Sequence, residues 1–300
     1  MKVVVTGGSG FVGKRLQLVH PEWTYLSRKD VDLLSYTECL NYFLKERPDA
    51  VIHLAAKVGG IKDNSDHPAD FFYQNLTINS NVVHACYLAG VKRLVASLST
   101  CAFPDVVQKY PFSEADFLDG PPAPTNRGYG FTKRALHIQI QSYRQQYGLE
   151  YSCFCPSNLY GPEDNFHSEK SHFVAAMIKK FHAASHGDTV EFWGTGKTLK
   201  QQLYVDDLCL IIPQLLEKHG SDLPLIVAPH ENMSVLELIQ ATLPVANKNL
   251  KVTFNGKLEG QYRKDGSNSE FLKLCPSFSF TPFTDGIRKT YEWYEKNYRL

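Results

Sequence analysis

The first thirteen residues do most to restrict the fold. Val3-Val4-Val5-Thr6 is a short β-branched run, and Gly7-Gly8-Ser9-Gly10-Phe11-Val12-Gly13 follows at once. A strand that runs into glycines and then into a helical stretch makes a tight turn at the strand's carboxyl end. Gly8, Gly10 and Gly13 match the G-x-G-x-x-G spacing of dinucleotide-binding turns, and Gly7, Gly10 and Gly13 give a second, wider spacing. Such a turn needs one glycine to reverse the chain and one to let backbone N–H groups reach a pyrophosphate. A third lets helix and strand pack closely. A glycine triplet alone fits any tight turn; its place between strand and helix makes residues 7–13 a nucleotide-site candidate.

The chain beyond repeats the alternation. Residues 2–6, 23–27, 50–55, 93–97 and 151–156 read as strands, and 13–19, 36–46, 70–89 and 129–147 as helices. The helix at 36–46 stops ahead of Pro48, because the residue before a proline avoids the helical region. Short apolar strands separated by helices imply an α/β fold, a Rossmann-type doubly wound parallel sheet covered on both faces. After residue 162 the pattern weakens. A helix over 166–185, a strand over 190–193 and a helix over 233–243 with Ser234 as cap are expected there. No linker composition intervenes, so this smaller C-terminal lobe should interleave with the sheet. The expected division is 1–163 plus about 199–228 for a nucleotide-binding domain, with 164–198 and 229–300 for a substrate-binding lobe.

Lys plus Arg number 32 and Asp plus Glu 31, a formal charge of +1. This balance argues against nucleic acid or an acidic membrane as partner and leaves room for a local basic pocket. No apolar run reaches bilayer length, and the first residues do not read as a leader. The seven cysteines are scattered through apolar segments, which fits reduced thiols in the cytoplasm. No histidine pair has zinc-ligand spacing with suitable partners, so no metal is expected.

The second strand runs into Ser27-Arg28-Lys29. An acidic residue at that tip would bind ribose hydroxyls and repel a 2′-phosphate, whereas Arg28 would bind one. NADPH is therefore expected over NADH, a solvated basic turn being the alternative; Asp32 and Leu33 follow where they could flank the adenine. Tyr129 and Lys133 lie four apart at the start of a helix, on one face. An ammonium there should lower the phenol's pKa toward a working range. Ser99, after the fourth strand, is a natural third donor. Were that segment extended, Cys101 would point to the same side.

With these motifs in hand the chain resembles the GDP-L-fucose synthases, within the extended short-chain dehydrogenases. The resemblance covers nearly the whole length. It runs through Ala55-Ala56-Lys57-Val58-Gly59-Gly60-Ile61, Pro68-Ala69-Asp70-Phe71, Gln74-Asn75 and Ser99-Thr100-Cys101-Ala102-Phe103-Pro104. It continues in Asn158-Leu159-Tyr160-Gly161-Pro162, Asp164-Asn165-Phe166-His167 with His172, Trp193-Gly194-Thr195-Gly196 and Val205-Asp206-Asp207. The resemblance implies that Cys101 is a base and His172 an acid for inverting two ring centres of GDP-4-keto-6-deoxy-D-mannose. Ser99 and Tyr129 then bind the ketone oxygen, and Lys133 binds the nicotinamide ribose. It further implies that Gly7, Gly8, Ser9, Gly10, Phe11, Val12, Gly13, Leu54, Ala55, Ala56, Lys57, Pro156, Asn158, Leu159 and His172 contact NADPH. Asn165, Lys180, Trp193 and Lys200 would contact the GDP moiety. Lys200 stands where the resemblance leads one to expect arginine, and a lysine cannot make the bidentate fork. A homodimer through the helices at 70–89 and 129–147 is implied by analogy.

Two other readings compete. A nucleotide-sugar 4,6-dehydratase should carry an acidic pair where this chain has Thr100-Cys101-Ala102, and a simple 4-epimerase would need neither Cys101 nor His172. A non-catalytic NADP-binding sensor would have no use for Ser99, Cys101, Tyr129, Lys133 and His172 together.

Overall fold

The computed structural model of the protein describes residues 1–166, 171–257 and 261–298. The chain runs β1 (Val3–Thr6), α1 (Phe11–Val19), β2 (Thr24–Leu26), α2 (Tyr36–Glu46), β3 (Ala50–His53), α3 (Ile61–Asp66), α4 (Pro68–Leu88), β4 (Arg93–Ser97), α5 (Arg127–Tyr147) and β5 (Glu150–Pro156). There follow β6 (Asn158–Tyr160), α6 (Phe173–Ala183), β7 (Thr189–Phe192), β8 (Leu199–Lys200), β9 (Gln202–Tyr204), α7 (Val205–Lys218) and β10 (Leu225–Val227). The last elements are β11 (Met233–Ser234), α8 (Val235–Ala246), β12 (Lys251–Phe254), α9 (Ser269–Leu274) and α10 (Phe283–Asn297).

Six strands form one sheet in the order β10-β5-β4-β3-β1-β2, and every neighbouring pair is parallel. The fold is the expected doubly wound α/β sheet. Its strands carry apolar residues on both faces because helices cover both. Val4 packs into a core with Phe43, Val83 and Ile140 from α2, α4 and α5. Val3 and Val5 turn to the other side, against Leu16 of α1 and Leu208, Ile211 and Leu215 of α7. From β1 the chain steps outward to β2 and then returns past β1 to β3. The winding reverses there, and the crevice outside the strand ends at such a switch point is where open α/β sheets bind ligands.

The lobe has its own core, in which Phe166, Ile178 and Phe181 meet Leu238, Ile239, Ile287 and Tyr291. Three separate two-stranded pairs accompany the main sheet: β6 with β9, β8 with β11 and β7 with β12. Two expectations change here. Phe166 opens no helix: it is buried in the lobe core as coil, against Trp293, Tyr294 and Tyr298, and α6 begins only at Phe173. α9, inside the stretch assigned to the lobe, instead packs Phe271 into the sheet core. His167, part of the resemblance, lies outside the described residues. Ser234 does cap α8, accepting from the Glu237 amide at 3.1 Å while Glu237 accepts from Ser234 in return.

Candidate active site

The glycine turn after β1 is pressed against the turn after β3. Gly7 has φ +79°, and a Cβ there would lie 2.8 Å from the Ala55 nitrogen, so no other residue fits. Gly10 sits at the head of α1 without a side-chain cap, which leaves the first amides of the helix available to an anion. Below this turn, Thr6 Oγ1 and His53 Nδ1 are 2.7 Å apart, and His53 Nε2 is 3.0 Å from Asn79 Oδ1. Burial pushes the His53 imidazole down to about 3, so the ring is a neutral brace joining β1, β3 and α4. Asn75 holds the next loop: its Oδ1 accepts from the Lys57 amide at 2.9 Å and its Nδ2 donates to the Lys57 carbonyl at 3.0 Å. Residues 54–57 thereby form one wall of the crevice and Gly7–Gly10 the other. This cradle fits a dinucleotide pyrophosphate, which needs close backbone approach more than side chains.

Arg28 follows β2 with its side chain 77% exposed, 3.9 Å from Asp32. Ser27 donates to Asp30 through both its amide and its hydroxyl, which closes the turn that presents Arg28. Leu33 packs against the sheet core and lends its carbonyl to Asn81.

The chemistry-bearing side chains gather at the end of β4. The segment there is not extended. Thr100–Ala102 form a 3₁₀ turn capped by Ser99, whose Oγ accepts from the Cys101 amide at 3.1 Å. Cys101 is presented by this turn rather than by strand alternation. α5 approaches closely because Gly130 lacks a side chain: a Cβ there would meet the Cys101 carbonyl at 2.7 Å. Tyr129 and Lys133 thus come to lie over the turn. Lys133 is 3% exposed and donates from Nζ to the Ser97 carbonyl at 2.8 Å, 5.8 Å from the centre of the Tyr129 ring.

Burial brings the Lys133 ammonium down to about 8. Burial also raises the Tyr129 phenol, opposed by a hydrogen bond with Ser99. The expected lowering of that phenol by Lys133 is absent from the protein alone, since desolvation dominates at this site. The consequence is a phenol that holds its proton at neutral pH. Desolvation opposes the Cys101 thiolate, yet Lys264 and the Ser99 hydrogen bond together draw its pKa below the ordinary thiol value. His172 caps α6, and its Nδ1 lies 3.5 Å from Asp164 Oδ1. That carboxylate raises the imidazole pKa against the opposing effect of burial, and the charges of His172 and Cys101 act on each other.

Elsewhere the groups are more scattered. Asn158 donates from Nδ2 to the Gln201 carbonyl at 3.1 Å, and β6, which contains it and Leu159, continues from β5 just past Pro156. Lys180 donates to the Glu191 carbonyl at 2.6 Å and lies 4.9 Å from the Phe192 ring, beside Trp193, which is 57% exposed. Lys200 lies in β8, paired with Met233 of β11, and Asn165 is exposed. Asp164, although part of the resemblance, and Lys264 were given no role from the sequence. Asp164 could have been given one, as an acid in the segment just ahead of His172; Lys264 offers no local signal.

A parallel sheet with a glycine cradle at its switch point and a Ser/Tyr/Lys group beside it defines a nucleotide-dependent oxidoreductase or epimerase. Residues 3–226 match the model of the NAD dependent epimerase/dehydratase family. The GDP-L-fucose synthase of Dictyostelium discoideum is 35% identical over 307 residues, covering 99% of this chain and 96% of that protein. The probable GDP-L-fucose synthase of Drosophila melanogaster is 35% identical, covering 99% and 98%. Among solved structures, a GDP-L-fucose synthetase from Naegleria fowleri bound to NADP superposes with a TM-score of 0.92 at 34% identity, covering 99% of this chain and 93% of that one. The chain belongs to the NAD dependent epimerase/dehydratase family, among its GDP-L-fucose synthases.

Proposed function

We propose that the chain makes GDP-L-fucose, by inverting carbons 3 and 5 of GDP-4-keto-6-deoxy-D-mannose and then reducing the carbon-4 ketone. The observation that carries this reading is a thiol at the end of β4 and an imidazole at the head of α6, Cys101 and His172, whose charges act on each other, with the Ser99 and Tyr129 hydroxyls beside the thiol. A simple reductase would need only the hydroxyls.

The ketone acidifies the neighbouring C–H bonds. Cys101 as thiolate takes a proton from carbon 3 or 5, and the electron pair moves onto the ketone oxygen. Ser99 and Tyr129 hold that oxygen as it becomes an enolate. His172, its pKa raised by Asp164, delivers a proton to the opposite face of the ring. Exchange with water returns the proton to His172 and removes it from Cys101 before the second inversion. Bound NADPH supplies the hydride that reduces carbon 4. Tyr129 gives its proton to the resulting alkoxide. The buried Lys133, fixed on the Ser97 carbonyl, is placed to hold the nicotinamide ribose. Arg28 would bind the 2′-phosphate of NADPH, and the lobe residues Asn165, Lys180, Trp193 and Lys200 would hold the GDP moiety.

The working form is a homodimer in the cytoplasm. α4 and α5 lie side by side, and each turns apolar residues outward: Phe72, Tyr73 and Leu76 from one, Phe131 and Ile138 from the other. These faces suit a second copy of the chain. No helix among the described residues is long and apolar enough to cross a membrane.

The test is product analysis after incubation with GDP-4-keto-6-deoxy-D-mannose and NADPH in D₂O. GDP-L-fucose labelled at carbons 3 and 5 is expected. Cys101→Ser should stop the labelling while leaving NADPH binding intact. An unlabelled, uninverted 4-reduced sugar from the unaltered enzyme would overturn the reading in favour of a plain reductase.

A further inference from the structure

We propose that Lys264 is a positioning residue for the inversion chemistry: its ammonium holds the Cys101 sulfur as a thiolate and fixes its direction. Lys264 Nζ donates to Cys101 Sγ at 3.0 Å, across 163 positions of sequence. The contact is built from both sides. Asp265, the nearest acid along the chain, does not compete for the ammonium, because Arg263 takes it with two nitrogens, NH2 to Oδ2 at 2.9 Å. The Arg263 guanidinium lies 4.9 Å from the centre of the Tyr110 ring. On the far side, Gly266 exchanges hydrogen bonds with the buried Gln201 side chain at 2.9 and 3.0 Å. Phe112 brackets the same stretch, accepting from the Ser267 amide at 2.7 Å and donating to the Asp265 carbonyl at 3.0 Å. Lys264 therefore extends toward Cys101 from a backbone that is held on each flank.

The other groups acting on the sulfur are the Ser99 hydroxyl, the His172 imidazole with Asp164 behind it, the Tyr129 phenol and the buried Cys155 thiol. Tyr129 and Cys155 carry no charge at neutral pH, as burial raises both. Of the cations, Lys264 acts most strongly on the sulfur; His172 contributes less. A thiol near its ordinary value of about 8.5 would be mostly protonated at neutral pH, and burial alone would make that worse. The lysine works against this, drawing the thiol below its ordinary value. Hydride transfer does not need the thiolate, so the dependence on Lys264 should fall on inversion rather than reduction.

The role rests on the reading of Cys101 as a base, but its test does not. Six of the seven cysteines are buried, so iodoacetamide should mark Cys101 selectively. Alkylation of Cys101 is followed by peptide mass spectrometry across pH in the full-length chain, for the unaltered protein, Lys264→Met and Lys264→Arg. Lys264→Met should slow alkylation at pH 7 by about tenfold and move the midpoint upward, and Lys264→Arg should restore most of the rate. NADPH binding, measured in parallel, reports that each variant is folded. A Lys264→Met profile that overlays the unaltered one, in protein that binds NADPH, would overturn the proposal. So would a slowed rate that Lys264→Arg fails to restore. A shifted alkylation profile without deuterium entering the sugar in any form of the enzyme would leave the ion pair standing and remove the fucose-forming reading instead.

Discussion

The two ends of the cofactor crevice are built in opposite ways. At the end of β4 most of the side chains proposed for the chemistry are already held: Lys133 on Ser97, Ser99 on the Cys101 amide, Lys264 on the sulfur, and His172, from the head of α6, on Asp164. At the end of β2, Arg28 projects into solvent with only a distant carboxylate for company. Groups that must act in a transition state gain from being fixed beforehand, because nothing then has to reorganise during reaction. A group that only distinguishes one ligand from another can remain loose and meet its anion on arrival. The fixed end should thus govern turnover, and the loose end cofactor choice.

The largest effect should come from the fixed end. Tyr129→Phe removes the proposed proton donor while leaving the ring in place, and NADPH oxidation with the keto sugar should fall by about 10²–10⁴-fold. Near-normal turnover would mean that the phenol is a spectator. At the loose end, Arg28→Ala should leave turnover with saturating NADPH nearly intact. It should cut the preference for NADPH over NADH by about 10- to 100-fold, the worth of a hydrogen bond to a charged group. A preference that does not change would place cofactor choice elsewhere. The smallest effect sharpens the boundary between the two ends. Asp164 raises the pKa of His172, so the imidazolium survives to higher pH with the carboxylate than without it. Asp164→Asn should therefore move the alkaline limb of the pH–rate profile to lower pH, with a loss of only a few-fold near neutrality. A limb that stays in place would detach His172 from the proton donation.

The fold was legible wherever local chemistry agreed with tertiary packing. α2 and β4 have the bounds read from sequence, Tyr36–Glu46 and Arg93–Ser97. Ser35 caps the helix, Pro48 stops it, and the buried apolar run Leu94-Val95-Ala96 fills the strand. Phe166 was misassigned because an apolar residue buried as coil resembles one on a helix when only hydrophobicity is counted. The site divided in the same way. Tyr129 and Lys133 declare themselves by helical spacing, and the glycine cradle by its order. The 3₁₀ turn that aims Cys101 carries no such pattern, and Lys264 is brought to the sulfur by the path of the whole C-terminal segment. Burial at Tyr129 likewise depends on packing that no local window contains, which is why the phenol's shift ran opposite to expectation.

The position of β10 bears on how the molecule can be assembled. It is the outermost strand beside β5, yet it is reached only after the chain has left the sheet and formed α6, β7, β8, β9 and α7. A nascent chain released as far as residue 160 would leave Phe154 and Cys155 on an unprotected edge. Such an edge invites pairing with other chains. The molecule cannot be cut into a nucleotide half and a sugar half, and synthesis must pass residue 227 before its sheet is safe from aggregation.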